Sequence, residues 1–147
     1  MNKYKKMPSI GSVMTPFPYF VDADSSVAEI EGLMAEHKIR HVPVQQKGEV
    51  VGIVSERDLH HLVARSMPQS QKATMRARDV MVDEPYIVGF DTPLNQVVAE
   101  MEKRHIGSTL VLHHDKLAGI LSVTDVCRIL AEVLDAEFEP PEGDDAA

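Results

Sequence analysis

The sequence predicts an α/β (α+β) fold of two pseudo-symmetric β-α-β-β-α repeats packed as one module, and three observations carry that expectation. Displacing the 147-residue chain by 67 positions aligns residues 13–59 with 80–126 without a gap, and 13 of the 47 aligned pairs are identical. A self-match of that kind marks an internal duplication. A phrase of the form Gly-h-h-Ser-x-x-Asp, with h apolar, occurs once in each copy, at residues 52–58 and 119–125. Around it the apolar pattern alternates between strand-like and helical in the same order in both copies.

Each repeat opens on a short β-prone run, Tyr19-Phe-Val21 or Tyr86-Ile-Val88. Helix starts follow at Asp24-Ser-Ser26 ahead of Val27 and at Asp91-Thr-Pro93 ahead of Leu94. In the second, Thr92 is expected as N-cap with Pro93 at the first helical position. Val27, Ile30 and Met34 recur at helical spacing, as do Leu94, Val97, Val98 and Met101, and the helices are expected to end near Lys38 and His105. Two strands come next in each copy, 41–44 and 50–54 around Lys47-Gly48, then 109–112 and 117–121 around Asp115-Lys116. These are hairpin signals, and the mostly apolar strands predict a covered sheet. A closing helix after each Ser carries Leu59, Leu62 and Val63, or Val126, Ile129, Leu130, Val133 and Leu134. The domains are therefore read as a first repeat at 10–65, a polar linker at 66–78, a second repeat at 79–135 and an acidic tail at 136–147. The tail, with Pro140-Pro141 and no basic residue, is expected to be disordered.

Composition narrows the function. No apolar run approaches the ~20 residues needed to cross a bilayer. The lysine-rich start has no apolar core after it, so a cytoplasmic protein without a membrane partner is expected. Cys127, the sole cysteine, cannot form an internal disulfide, and its place on an apolar helix face predicts burial. The net charge of −8 falls to −2 once the six carboxylates of residues 135–147 are set aside. A nearly neutral body argues against a nucleic-acid partner, which calls for a basic face.

The motifs point to a family. The first copy reads Val-Met-Thr-Pro at 13–16, Ile-Arg-His-Val-Pro-Val at 39–44 and Gly-Ile-Val-Ser-Glu-Arg-Asp at 52–58. The second keeps Val80-Met81, Asp91-Thr-Pro93, Ile106 and Gly-Ile-Leu-Ser-Val-Thr-Asp at 119–125. In register and twice over, these resemble the cystathionine β-synthase (CBS) domain, and the two copies resemble a CBS pair, or Bateman module, over about residues 10–134. The resemblance implies two clefts between the repeats, frequent homodimers, and regulatory binding of an adenine nucleotide (AMP, ADP or ATP) or S-adenosylmethionine, with no covalent cofactor. The short chain leaves the output to an unidentified effector protein.

Asp58 and Asp125 are the residues on which this chemistry turns. One ionised carboxylate can accept hydrogen bonds from both hydroxyls of a ribose. The helix N-terminus behind it offers free N–H groups to a phosphate, and Ser55 or Ser122 adds a hydroxyl. The same Ser-x-x-Asp is also the sequence of a capping box, in which both side chains serve only the helix's own amides. By resemblance, Arg57, Arg40 and His41 belong with Asp58, whereas Thr124, Gly107 and Ser108 belong with Asp125. The adenine is expected near Ile39 and Ser25 in one cleft and near Ile106 and Thr92 in the other. The Asp58 cleft, with real positive charge, should prefer a phosphorylated nucleotide, and the Asp125 cleft should be weaker, adenosine-like or empty. The competing reading is an interaction dimer with vestigial clefts. His37 and His41 would suit a metal only on one helix, and they straddle a helix end, so no metal site is expected. His113-His114 reads as a solvated turn. No phosphate-binding loop, nucleophile elbow or metalloprotease motif occurs, and no catalytic residue is expected.

Overall fold

The computed structural model describes residues 6–16, 18–63 and 66–142. Two short pieces precede the first repeat, helix α1 (Ile10–Val13) and strand β1 (Thr15–Pro16). The repeat runs β2 (Val21–Asp22), α2 (Val27–His37), β3 (His41–Gln46), β4 (Glu49–Ser55) and α3 (Glu56–Leu62). Residues 66–78 hold α4 (Gln69–Lys72) and the start of α5 (Ala77–Val80), and β5 (Val82–Asp83) leads into the second repeat. That repeat runs β6 (Ile87–Gly89), α6 (Leu94–Arg104), β7 (Ser108–His113), β8 (Lys116–Ser122) and α7 (Val123–Glu137). The expected β-α-β-β-α order holds in both copies.

Local chemistry accounts for most boundaries. Ser26 caps α2 by accepting from the Glu29 amide at 3.1 Å. Lys38 and His105 end α2 and α6 in the left-handed conformation, at φ 53° and 55°. Lys47 and Gly48 turn the first hairpin with φ of 53° and 79°. The second hairpin turns at His114-Asp115, with φ of 52° and 62°, one residue earlier than expected. Lys116 instead pairs with His113 across the ladder, because a two-residue turn needs positive φ at both centres. The start of α6 also departs from expectation. Pro93 is extended and stands as N-cap, Thr92 makes no cap, and Leu94 opens the helix. The orphan Leu94 amide donates to the Pro8 carbonyl at 2.9 Å, while the Thr92 carbonyl accepts from the Ile10 amide at 2.8 Å. A neighbouring strand segment, Ser9 bridging Pro93, has replaced the side-chain cap.

The two sheets exchange their edges. One has the order β1-β8-β7-β6 and the other β2-β3-β4-β5, so the piece ahead of each repeat pairs with the sheet of the other. Ile10 of α1 is buried in the second core with Leu94, Val97, Val111, Leu121 and Ile129. Ala77 and Val80 of α5 enter the first core with Val27, Ile30, Val42, Val44 and Val54. Ile10 and Val80 are each worth about 1.5–3 kcal/mol when fully buried, and Ala77 less. The exchange therefore ties the repeats into one body. It also explains Gly52 and Gly119: a Cβ on Gly119 would meet the Met14 sulfur and lie 2.8 Å from the Thr15 carbonyl oxygen, and one on Gly52 would lie 2.9 Å from that of Val82.

Two other sequence expectations change. Cys127 is exposed, and so are Leu130 and Leu134 at 53% and 45%. Only Ile129 of α7 is buried, because the sheet covers a narrower stripe than the apolar residues span. Helix α7 runs through Glu137, so the first residues of the expected tail are helical, and residues 143–147 lie outside the described residues. Among the described residues no helix is long and apolar enough to cross a membrane.

Thr109 of β7 is wholly buried, and its hydroxyl has no hydrogen-bond partner among the described residues. The aligned position in the first repeat is Val42. An unpaired buried hydroxyl costs about 1–3 kcal/mol. Thr109→Val is accordingly expected to raise stability by about 1 kcal/mol in urea unfolding. A loss of stability would show that the hydroxyl is satisfied.

Candidate functional site

Both Ser-x-x-Asp motifs do cap their helices. The Ser55 hydroxyl accepts from the Asp58 amide at 3.0 Å, and Asp58 Oδ2 accepts from the Ser55 amide at 3.2 Å. In the second copy the same pair of bonds measures 3.3 and 2.9 Å. Capping uses only one carboxylate oxygen. Asp58 Oδ1 makes no hydrogen bond to any described residue, so its lone pairs remain available to a ligand.

Asp58 belongs to the lining of a cavity of about 780 Å³ between the repeats. From the first repeat it is lined by Arg40, His41, Ser55, Arg57 and Asp58, all anticipated with this Asp. From the second come Ile106, Gly107 and Ser108. Gly107 and Ser108 had been grouped with Asp125. They meet the Asp58 cavity because the starts of β3 and β7 face each other, with His41 Nε2 only 3.3 Å from where a Cβ on Gly107 would sit. A glycine at 107 is what lets the imidazole approach the second repeat.

The remaining expected residues lie elsewhere. Thr92 lines a separate cavity of about 670 Å³ at the far end of β6 and β7, with Asp91 and Asp115. Ser25 accepts from the Asp22 amide at 3.0 Å in the turn before α2, and Ile39 packs against the first core. Thr124 is exposed on the first turn of α7, and Ser122 is held by Asp125 through its hydroxyl at 3.1 Å.

Sequence reasoning missed Glu84, Tyr86, Arg104 and His105, which the second repeat adds to the Asp58 cavity, and His60 of α3. Arg104 stacks over Tyr86 at 4.5 Å from the ring centroid and pairs with Glu100 at 2.8 Å. Tyr86 and Tyr19 are an identical pair in the duplication, a signal that could have found Tyr86 but none of the others. The cavity thus gathers the guanidinium groups of Arg40, Arg57 and Arg104 against the carboxylates of Glu56, Asp58 and Glu84, with three histidines between them. Glu56 lies 4.0 Å from Arg40, but that pair is largely exposed and water screens it.

Burial lowers the pKa of His41 below its ordinary 6.5; the Arg40 charge acts the same way, and Asp58 opposes them. With no ligand bound, the unfolded chain therefore takes up this proton first as pH falls. Stability contributed at this position is intact above the unfolded value of 6.5 and declines below it, levelling off once the folded imidazole is protonated. An anionic phosphate in the cavity would favour the imidazolium. Affinity for such a ligand is thus expected to rise as pH drops from about 7.5 to about 6. In calorimetric titrations His41→Gln should flatten that rise, a comparison in which the phosphate's own titration cancels.

These features define a class: a tandem α/β module with a charged cavity at the junction of two repeats. A family model, the CBS domain, matches residues 10–65 and 77–132, and the chain belongs to the CBS domain family. A zinc metalloprotease of Methanocaldococcus jannaschii is 29% identical over 119 residues, 81% of this chain and 31% of that protein. The chain thus spans less than a third of that relative's length. Among solved structures, a Vibrio cholerae protein assigned to acetoin utilization superposes with a TM-score of 0.76 at 28% identity, covering 92% of this chain and 100% of that one. CBSX2, solved in complex with AMP, superposes with a TM-score of 0.72 at 27% identity, over 85% of this chain and 97% of that one.

Proposed function

We propose that this CBS pair is a non-catalytic regulatory module that binds an adenine nucleotide in the Asp58 cavity, with the ribose hydroxyls on Asp58 Oδ1 and the phosphates among Arg40, Arg57 and Arg104. The observation that carries this reading is an unengaged carboxylate oxygen in a large cavity whose cationic groups come from both repeats. The complex of CBSX2 with AMP supports the adenine nucleotide class. S-adenosylmethionine, whose sulfonium would meet the same guanidinium groups, is the less favoured adenosyl ligand. Because the cavity is lined by both repeats, a ligand there biases their relative arrangement, and a separate effector protein in the cytoplasm reads it.

The module works as a homodimer. Val123, Cys127, Leu130 and Leu134 recur along α7 at helical spacing on an exposed face, where a second copy would bury them. Light scattering is expected to give a dimeric mass, and Leu130→Glu with Leu134→Glu a monomeric one.

Thermal unfolding with AMP, ADP, ATP, GTP, NAD and S-adenosylmethionine tests the ligand. An adenine nucleotide at 100 times its Kd stabilises the fold by about 2.7 kcal/mol. The second reading, an interaction dimer with vestigial clefts, is favoured by the two capping boxes and the apolar face of α7. It predicts no shift with any of the six.

A further inference from the structure

The two Ser-x-x-Asp sites differ in what already occupies their carboxylates. Among the described residues, the Ser55 amide makes the one hydrogen bond that the Asp58 carboxylate accepts, and His41 acts on it only through its charge. Asp125 receives the Ser122 amide and hydroxyl on Oδ2, and the Thr15 hydroxyl reaches Oδ1 at 3.3 Å. The Arg128 guanidinium stands 3.7 Å from Oδ1 and also donates to the Val13 carbonyl at 3.3 Å. Its other nitrogen lies 3.8 Å from Glu132, so the group is steered by three acceptors. The Asp125 side chain is 15% exposed. At the aligned positions of the first repeat, Val82 replaces Thr15 and has no donor, and His61 replaces Arg128. The outer oxygen that a ribose would need is thus open at Asp58 and taken at Asp125.

We infer that Thr15 and Arg128 close the Asp125 site, so that the module takes one nucleotide per chain and Arg128 determines which of the two pseudo-equivalent sites binds. Arg128 supplies a cationic donor where the ribose hydroxyls would go, and Thr15 supplies a hydroxyl. Both come from outside the Ser-x-x-Asp motif: Thr15 lies on β1, the strand the second sheet receives from ahead of the first repeat. The edge exchange that ties the repeats together also delivers the plug. This inference rests on the nucleotide reading of the Asp58 cavity, and its test is built to separate the two.

Calorimetric titration with AMP and with ATP provides that test. Wild type is expected to bind one per chain, and Asp58→Ala to bind roughly 10- to 150-fold more weakly. In Asp58→Ala carrying Thr15→Val and Arg128→Ala, binding of one per chain near wild-type affinity is expected to return. Should that triple variant melt early, Asp58→Asn with Arg128→Gln makes the same comparison with smaller changes. Two nucleotides per chain in wild type would overturn the inference, and so would wild-type affinity in Asp58→Ala alone. A folded opened variant that binds nothing overturns it as well. If wild type binds nothing and the opened variant binds one, the closure of Asp125 stands and the Asp58 reading fails.

Discussion

Asp58→Ala is expected to weaken adenine-nucleotide binding by roughly 10- to 150-fold, the equivalent of the 1.5–3 kcal/mol carried by hydrogen bonds to a charged group. The carboxylate has two jobs, and the substitution removes both. Its Oδ2 completes the α3 capping box, so the unliganded protein should also lose about 1 kcal/mol. Asp58→Asn separates the roles. Its carbonyl oxygen can still accept from the Ser55 amide, whereas a neutral amide is a poorer acceptor for two ribose hydroxyls. The asparagine variant is expected to melt near wild type and bind nearly as badly as the alanine variant. Nucleotide-induced stabilisation that survives in both would place the ligand elsewhere.

Gly119→Ala is expected to destabilise the fold by about 1–3 kcal/mol, with Gly52→Ala in the same range. The Met14 side chain can rotate away from a new Cβ, but the Thr15 carbonyl belongs to the β1–β8 ladder and cannot move without opening it. The same strand carries the Thr15 hydroxyl to Asp125, so loosening it should expose that carboxylate too. Urea unfolding gives the cost, and amide exchange at residues 15–16 and 119–120 shows where it falls. A cost of only a few tenths of a kcal/mol would mean that β1 yields freely.

These outcomes trace back unequally to the chain. The duplication was legible from self-comparison, and the order of elements, the helix ends near Lys38 and His105 and the Lys47-Gly48 turn because each depends on residues a few positions apart. The capping boxes were legible for the same reason, although the motif by itself did not separate capping from binding. Where the reading slipped, a distant segment had intervened. Pro8 and Ser9 took over the start of α6, and α7 kept Leu130 and Leu134 exposed because apolar spacing says nothing of how wide a stripe the sheet covers. Tyr86 and Arg104 entered the Asp58 cavity from the second repeat, where sequence reasoning had named other residues.

By itself, then, the sequence determined that there are two repeats and two Asp sites, since spacing and local hydrogen bonding suffice for both. Which site is open was decided by tertiary structure. A two-residue strand such as β1 has no pattern that names its partner, and only packing against Gly119 brings Thr15 within reach of Asp125. The first repeat receives Val82 by the same exchange, and Asp58 Oδ1 accepts no hydrogen bond from a described residue.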